Sequence, residues 1–190
     1  QAYIERNYVT NPATYGMTCD LNAGAYCRFR SNIVVNAGTG CIDVSKTSAG
    51  PTADIYNNVL VNCGTYGIDA TGATATITAH NNSITGASTN GIYRGASGTV
   101  DSHNNVFGPI TAYSDNGVAG VAGTGDTAVD PGFIGGTTPT SAAGFRLTSG
   151  STLRRAGKDL NIGNYQDAGN RAFLHPPSCG AWEAASGDLR

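Results

Sequence analysis

Asn57-Asn58-Val59-Leu60-Val61-Asn62 is one of five variants of a single short phrase. Arg6-Asn7-Tyr8-Val9-Thr10-Asn11 and Ser31-Asn32-Ile33-Val34-Val35-Asn36 precede it. Asn81-Asn82-Ser83-Ile84-Thr85-Gly86 and Asn104-Asn105-Val106-Phe107-Gly108 follow. The shared Asn falls at 7, 32, 58, 82 and 105, in steps of 25, 26, 24 and 23. Asn11, Asn36, Asn62 and Gly86 keep the same spacing, as do Met17, Ile42, Ile68 and Ile92. Three columns in one register make an internal repeat, and a repeat of this period points to stacked coils.

The coils are expected at 3–24, 25–50, 51–73, 74–98 and 99–117. Three residues before the shared Asn stand Ile4, Phe29, Ile55, Ala79 and Ser102; five before it stand Cys27, Ala53, Ile77 and Val100. Between and after them come Arg28, Asp54, Thr78, Asp101 and then Glu5, Arg30, Tyr56, His80, His103. That alternation with period two predicts a half-buried strand. Val9, Val34, Leu60, Ile84 and Phe107 form a second inward column, and Gly67-Ile68 and Gly91-Ile92 start a third strand, with Gly16-Met17 and Cys41-Ile42 in the equivalent places. Three short strands per coil of about 25 residues predict an all-β fold, a single-stranded right-handed parallel β-helix. Stacking sets equivalent residues about 4.8 Å apart. Asn7, Asn32, Asn58, Asn82 and Asn105 are then expected as a buried structural ladder, each amide serving the unpaired backbone of a turn and the Asn of the next coil. The sequon Asn81-Asn82-Ser83 lies within that ladder and is discounted as a glycosylation site.

The rest of the composition bounds the function. The 190 residues fit one domain; charged residues are only 13%, and 27 are glycine. A net charge of −2 does not indicate a nucleic-acid or anionic-membrane partner. No apolar run is long enough to span a membrane. No signal peptide is evident, and Gln1 lies almost inside the first repeat, so we expect a processed product or the ordered part of a longer chain. Cys19, Cys27, Cys41, Cys63 and Cys179 show no CxxC spacing. We expect buried free thiols; the alternative is one disulfide, Cys41 to Cys63 or Cys19 to Cys27.

From about 109 the period is lost. Gly117 to Gly125 reads as a flexible loop, since no helix pattern follows to make it a phosphate cradle. We divide the chain into coils at 1–117 and a last coil, loop and C-terminal cap at 118–190. Residues 126–184 are expected to cap the end of the stack, with Phe133, Phe145, Leu147 and Trp182 buried. Six of the eleven basic residues lie from Arg146 to Arg190 and suit a polar outer cap, or else an anion or glycan contact.

The Asn-Asn-x-hydrophobic and Gly-Ile coils resemble right-handed β-helix repeats of the pectate-lyase-like superfamily. Asp130–Phe133, Phe145–Ser151 and the closing Pro176-Pro177-Ser178-Cys179-Gly180-Ala181-Trp182-Glu183 resemble the ending of such proteins on bacterial surfaces and in tailed phages. The resemblance covers residues 3–184. It implies the fold strongly and the function weakly, because sites are grafted on folds. The superfamily's N-terminal cap has no counterpart, so further coils or another chain are expected to cover that end.

The best site candidate is the outward face of the first strand of each coil, with Arg28, Arg30, Asp54, Tyr56, His80, Asp101 and His103. Its default reading is a solvated sheet face whose charges discourage unwanted sheet pairing. Carboxylates, Arg and an aromatic on a long shallow sheet also suit a glycan. Lyases of the resembled superfamily hold calcium with acidic residues and use a basic residue as base. Inverting hydrolases need carboxylates roughly 6.5–9.5 Å apart, and Asp54 and Asp101, two coils apart, come to about 9–10 Å. Asp43 and Asp69 make a smaller pair, read as exposed Asp; His175 reads as a surface or packing residue. No catalytic residue, metal site or cofactor is assigned. We expect a non-enzymatic structural protein, first of all a tailed-phage particle component (capsid decoration, fibre or spike), forming a homotrimer or joined to host particle proteins. The alternatives are a carbohydrate-binding piece of a bacterial secreted or surface protein, with polysaccharide as partner, and a polysaccharide lyase or hydrolase. The expected location is virion or extracellular.

Overall fold

A computed structural model describes residues 1–19, 26–44, 52–71, 74–108, 111–115, 118–162, 166–174 and 176–183. The chain is a parallel β-solenoid of about four turns, as the repeat predicts. Each coil contributes three strands. They are β1 (Ala2–Glu5), β2 (Tyr8–Thr10) and β3 (Tyr15–Thr18); β4 (Tyr26–Arg30), β5 (Ile33–Val35) and β6 (Gly40–Asp43); β7 (Thr52–Tyr56), β8 (Val59–Val61) and β9 (Tyr66–Ala70); β10 (Thr76–His80), β11 (Ser83–Thr85) and β12 (Asn90–Arg94); β13 (Thr99–His103), β14 (Val106–Phe107) and β15 (Thr111–Asp115). The first sheet is β1-β4-β7-β10-β13, the second is β2-β5-β8-β11-β14, and the third is β3-β6-β9-β12-β15. A short β16 (Val118–Ala119) pairs antiparallel on β15.

The register matches the sequence columns: Phe29 faces Ile55, Val34 faces Leu60, and Ile42 faces Ile68 across neighbouring strands. These side chains fill one continuous core with Ile77, Ile84, Ile92 and Phe107. Within the third strands, Gly16 and Gly67 are set by crowding, and Cys41 holds the equivalent place in the second coil. A Cβ on Gly67 would lie 2.3 Å from Ile84 Cγ2, and one on Gly16 would lie 2.3 Å from Val34 Cγ1.

The Asn-Asn pairs divide two tasks. The second Asn of each pair makes the inward ladder. Nδ2 of Asn7 donates to Oδ1 of Asn32 at 3.0 Å, Asn32 to Asn58 at 3.0 Å, Asn58 to Asn82 at 2.9 Å and Asn82 to Asn105 at 2.8 Å. Each backbone N–H donates to the same oxygen. In Asn32, Asn58, Asn82 and Asn105 Nδ2 also donates to a strand carbonyl one coil back, as in Asn58 to Phe29 O at 3.0 Å, whereas Asn7 donates to Glu5 O in its own coil. The preceding residue, Arg6, Ser31, Asn57, Asn81 or Asn104, turns the corner with φ between 52° and 59°. Asn11, Asn36, Asn62 and Gly86 turn the next corner in the same left-handed conformation, which Asn and Gly tolerate best.

Four expectations are corrected. The period does not end at 109. Thr124 and Thr127 bridge in parallel to His103 and Val106, and Asp126 takes the ladder position after Asn105. Its Oδ1 accepts Asn105 N–H at 2.7 Å; Oδ2 accepts Ser102 Oγ at 2.6 Å and Gly123 N–H at 2.8 Å. The last rung of a ladder in which protons always point forward needs only acceptors, and a carboxylate is acceptor-only. The end of the glycine-rich stretch therefore forms a further rung: a Cβ on Gly123 would sit 1.7 Å from Ser102 O, while Val121 before it is exposed. Residue 117, which begins that stretch, lies outside the described residues.

Second, most of residues 126–184 do not close the end of the stack. They run along its side. Phe133, Phe145, Ala181 and Trp182 cover Ile33, Val35, Val59 and Val61 on the outer face of the second sheet, with Leu147 partly buried beside them. Leu153 and Cys179 cover Val106. The left-handed corner residues hold this strap: Ser31 Oγ donates to Gln166 O, Asn57 Nδ2 to Ser178 O, Asn81 Nδ2 to Lys158 O and Asn104 Nδ2 to Ala156 O, all at 2.8–2.9 Å. A buried Asp167 pairs with Arg171 at 2.7 Å and receives Glu183 N–H at 3.1 Å, which closes the strap on itself. Arg146 lies over the Trp182 ring at 4.8 Å, so two of the tail's basic residues serve packing.

Third, four cysteines are not free thiols. Cys19–Cys27 joins the first coil to the second, and Cys41–Cys63 joins the second to the third. Cys179 alone is a free, buried thiol. Fourth, Asp43 and Asp69 are register partners, but Asp69 is buried, not exposed. It accepts Tyr15 Oη–H at 2.6 Å and Thr71 N–H at 3.0 Å. Asn81, the sequon's Asn, is fully buried. His175 lies outside the described residues.

Candidate functional site

The outward face of the first sheet carries the seven residues named from the sequence. Parallel pairing sets Arg28 beside Asp54, and Arg30, Tyr56, His80 and His103 in one line across β4, β7, β10 and β13. Asp101 precedes His103 by two residues on β13 and therefore shares its face. Pairing and alternation alone create this grouping. The residues separate into three groups that the sequence does not distinguish.

The first group centres on Arg28. Tyr26 Oη donates to Asp54 Oδ2, and Arg28 donates to Tyr26 Oη from Nε at 3.1 Å and Nη2 at 2.8 Å. The Arg28 guanidinium is 3.8 Å from Asp54 and lies over the Tyr3 ring at 5.3 Å. Burial, then the hydrogen bond to Asp54, raises the Tyr26 pKa. The second group is the Arg30–Glu5 ion pair at 2.7 Å. The third is Tyr56, His80, Asp101 and His103. Tyr56 stacks on His80 with ring centres 5.6 Å apart, and His80 meets His103 edge-on at 5.0 Å. Asp101 lies between the imidazoles, Oδ2 3.2 Å from His80 Nε2 and Oδ1 2.8 Å from His103 Nε2. Burial, followed by the nearby charge of Lys158, lowers the His80 pKa. Burial, followed by the charge of Asp54, raises that of Tyr56.

This face is less open than a solvated sheet. Tyr56 is 8% exposed and His80 5%, whereas the Asp101 side chain is 56% exposed. Asp54, one member of the expected carboxylate pair, is committed to Tyr26 and Arg28. Asp54 and Asp101 stand two strands apart with Thr78 between them.

A tyrosine strip on the third sheet was missed. Tyr66 and Tyr93 lie with ring centres 4.8 Å apart, and Tyr15 lies against Gly40, one strand over. All three are half-buried, and Asp69 anchors Tyr15 from below. Burial, then the Asp69 hydrogen bond, raises the Tyr15 pKa. Part of the signal was present: Tyr15 and Tyr66 keep the coil period, whereas Tyr93 lies off that column as the partner of Asp69. No helix among the described residues is long and apolar enough to cross a membrane. Comparison with protein-family models, curated proteins and solved structures gives no match.

Proposed function

We infer that this chain is a non-enzymatic structural module of a surface assembly, with a tailed-phage particle component (capsid decoration, fibre or spike) as its first candidate. One observation carries this reading. The charged groups picked on the first sheet are satisfied by neighbours on the same or the adjacent strand: Arg28 by Tyr26 and Asp54, Arg30 by Glu5, and Asp101 by two histidines. A catalytic acid or base has to exchange its proton with substrate, and Asp54 instead accepts the Tyr26 hydroxyl and faces the Arg28 guanidinium at 3.8 Å. Such a face suits rigidity. The two inter-coil disulfides suit an oxidising location, extracellular or on a virion. The resemblance of the coils to the pectate-lyase-like superfamily, and of the 130–183 motifs to phage and bacterial surface endings, supports the same placement.

A structural particle component is expected to assemble. Sedimentation velocity of the purified protein is expected to show a trimer or a larger closed oligomer. A monomer that persists at high concentration overturns the reading. A second reading, carbohydrate binding, is favoured by the half-buried Tyr66–Tyr93 pair, whose rings offer an apolar body with a polar tip. On a glycan array it predicts binding that Tyr66→Ala abolishes and Arg30→Ala leaves intact.

A further inference from the structure

We propose that His80, Asp101 and His103 form a binding site for a zinc-class divalent metal ion that ties the fourth coil to the fifth. The two histidines are register partners on β10 and β13, so the stacking distance alone brings their rings together. Asp101 stands on the same face and already touches both Nε2 atoms. The three donor atoms all lie within 4.8 Å of one another. A tetrahedral ion with metal–ligand bonds of about 2.0–2.2 Å needs its ligands about 3.4 Å apart, so a closure of roughly an ångström suffices.

The two existing contacts have the layout of a metal site with protons in place of the ion. His80 directs Nε2 at Asp101, while its Nδ1 has no hydrogen-bond partner. All of its polar interaction therefore passes through the atom that would bind metal. The ring is also preset, since it is sandwiched between Tyr56 and His103. The site is buried on the His80 side and open on the other, with His103 26% and Asp101 56% exposed. An open polar cleft of about 290 Å³, lined by Asp101, His103 and Gly123 among others, adjoins it. An ion can enter there, and a water can complete its coordination.

Ligand chemistry selects the class. Two imidazoles and one carboxylate favour Zn²⁺ and its neighbours Co²⁺, Ni²⁺ and Cu²⁺ over Ca²⁺ and Mg²⁺, which prefer oxygen alone. The position in the fold gives the ion a purpose. Disulfides staple the first coil to the second and the second to the third. A metal at His80, Asp101 and His103 would staple the fourth to the fifth.

The test is calorimetric titration of the tag-free, metal-stripped protein with ZnCl₂ and, separately, CaCl₂. We expect one Zn²⁺ per chain, a higher melting temperature on Zn²⁺ addition, and no response to Ca²⁺. Co²⁺ is expected to give visible d–d absorption. His103→Ala and Asp101→Asn, at the two exposed ligands, are expected to keep the fold, as read by circular dichroism. Each should weaken Zn²⁺ binding by more than the roughly 10–100-fold typical for loss of a supporting partner. Asp43→Asn should leave it unchanged. The absence of Zn²⁺ binding by the folded wild type overturns the proposal. So does binding that His103→Ala and Asp101→Asn leave intact, or Ca²⁺ binding of equal strength.

Discussion

The outer faces of the first and second sheets start from the same coil and meet opposite ends. On the first, outward positions include Glu5, Arg28, Arg30, Asp54 and Tyr56, and the charged ones pair across strands, Arg28 with Asp54 and Arg30 with Glu5. On the second, outward positions are Ile33, Val35, Val59 and Val61, and a strap of some fifty residues covers them. Polar groups on a strand face can be satisfied within the sheet, by a register partner about 4.8 Å away. Apolar groups there can be satisfied only by another layer. The comparison teaches that the composition of an outward column decides whether a solenoid face stays available or recruits more chain. The corner residues enforce the choice: Asn57 and Asn81 point their amides at the strap while Asn58 and Asn82 point theirs inward.

The largest break in this contrast is expected at Trp182. It is 9% exposed, donates Nε1–H to Ala142 O at 2.9 Å and packs with Phe133 and Phe145 over the second sheet. Trp182→Ala should cost about 3–5 kcal/mol, and denaturant unfolding should show it. A loss below about 1 kcal/mol would mean that the strap is not part of the cooperative unit.

An intermediate effect is expected from Cys179, which lies on the inner side of the strap against Val106 and donates to Asn104 O at 3.1 Å. Burial pushes its pKa from the ordinary 9.0 up to about 12. A folded-state pKa raised in this way contributes stability that is complete below the unfolded value and is lost as pH rises from about 9 towards 12. In that window the slope is about 1.4 kcal/mol per pH unit. Cys179→Ala should therefore flatten the alkaline decline relative to wild type, measured as melting temperature against pH. Identical slopes would place the thiol in water.

The smallest effect is expected on the polar face. Arg28→Ala should cost about 1 kcal/mol or less, because partly exposed ion pairs contribute little. Thermal unfolding of Arg28→Ala beside Trp182→Ala gives the ratio directly. An Arg28 effect equal to that of Trp182 would erase the distinction between the two faces.

The contrast was partly legible in the sequence. Period two, read through Phe29 and Ile55 against Arg28 and Asp54, assigned the first sheet correctly on both faces. In the second strand the inward Val34, Leu60 and Ile84 were read, but the apolar neighbours Ile33, Val35, Val59 and Val61 were not read as a second buried face. A continuous apolar run is the signature of a strand covered on both sides. Asp126 was missed because a search for Asn cannot find a rung whose chemistry calls for acceptors alone. Cys19–Cys27 and Cys41–Cys63 were weighed individually and set aside, since coil spacing brings cysteines near one another but does not by itself aim them.

The sequence by itself determined the solenoid, its coil period, its inward columns, and which residues share the line from Arg30 to His103. These follow from local alternation and a repeat length, which act through backbone hydrogen bonding that every residue shares. Tertiary structure alone decided where the last third of the chain goes. It also decided that Tyr56 and His80 are buried, and that Asp101 stands between two imidazoles. Those outcomes depend on side chains far apart in sequence meeting at one place: Gln166 at Ser31, Lys158 at Asn81 and Trp182 above Val59. No periodicity encodes such meetings, because each is a single event of packing and hydrogen bonding, not a repeated one.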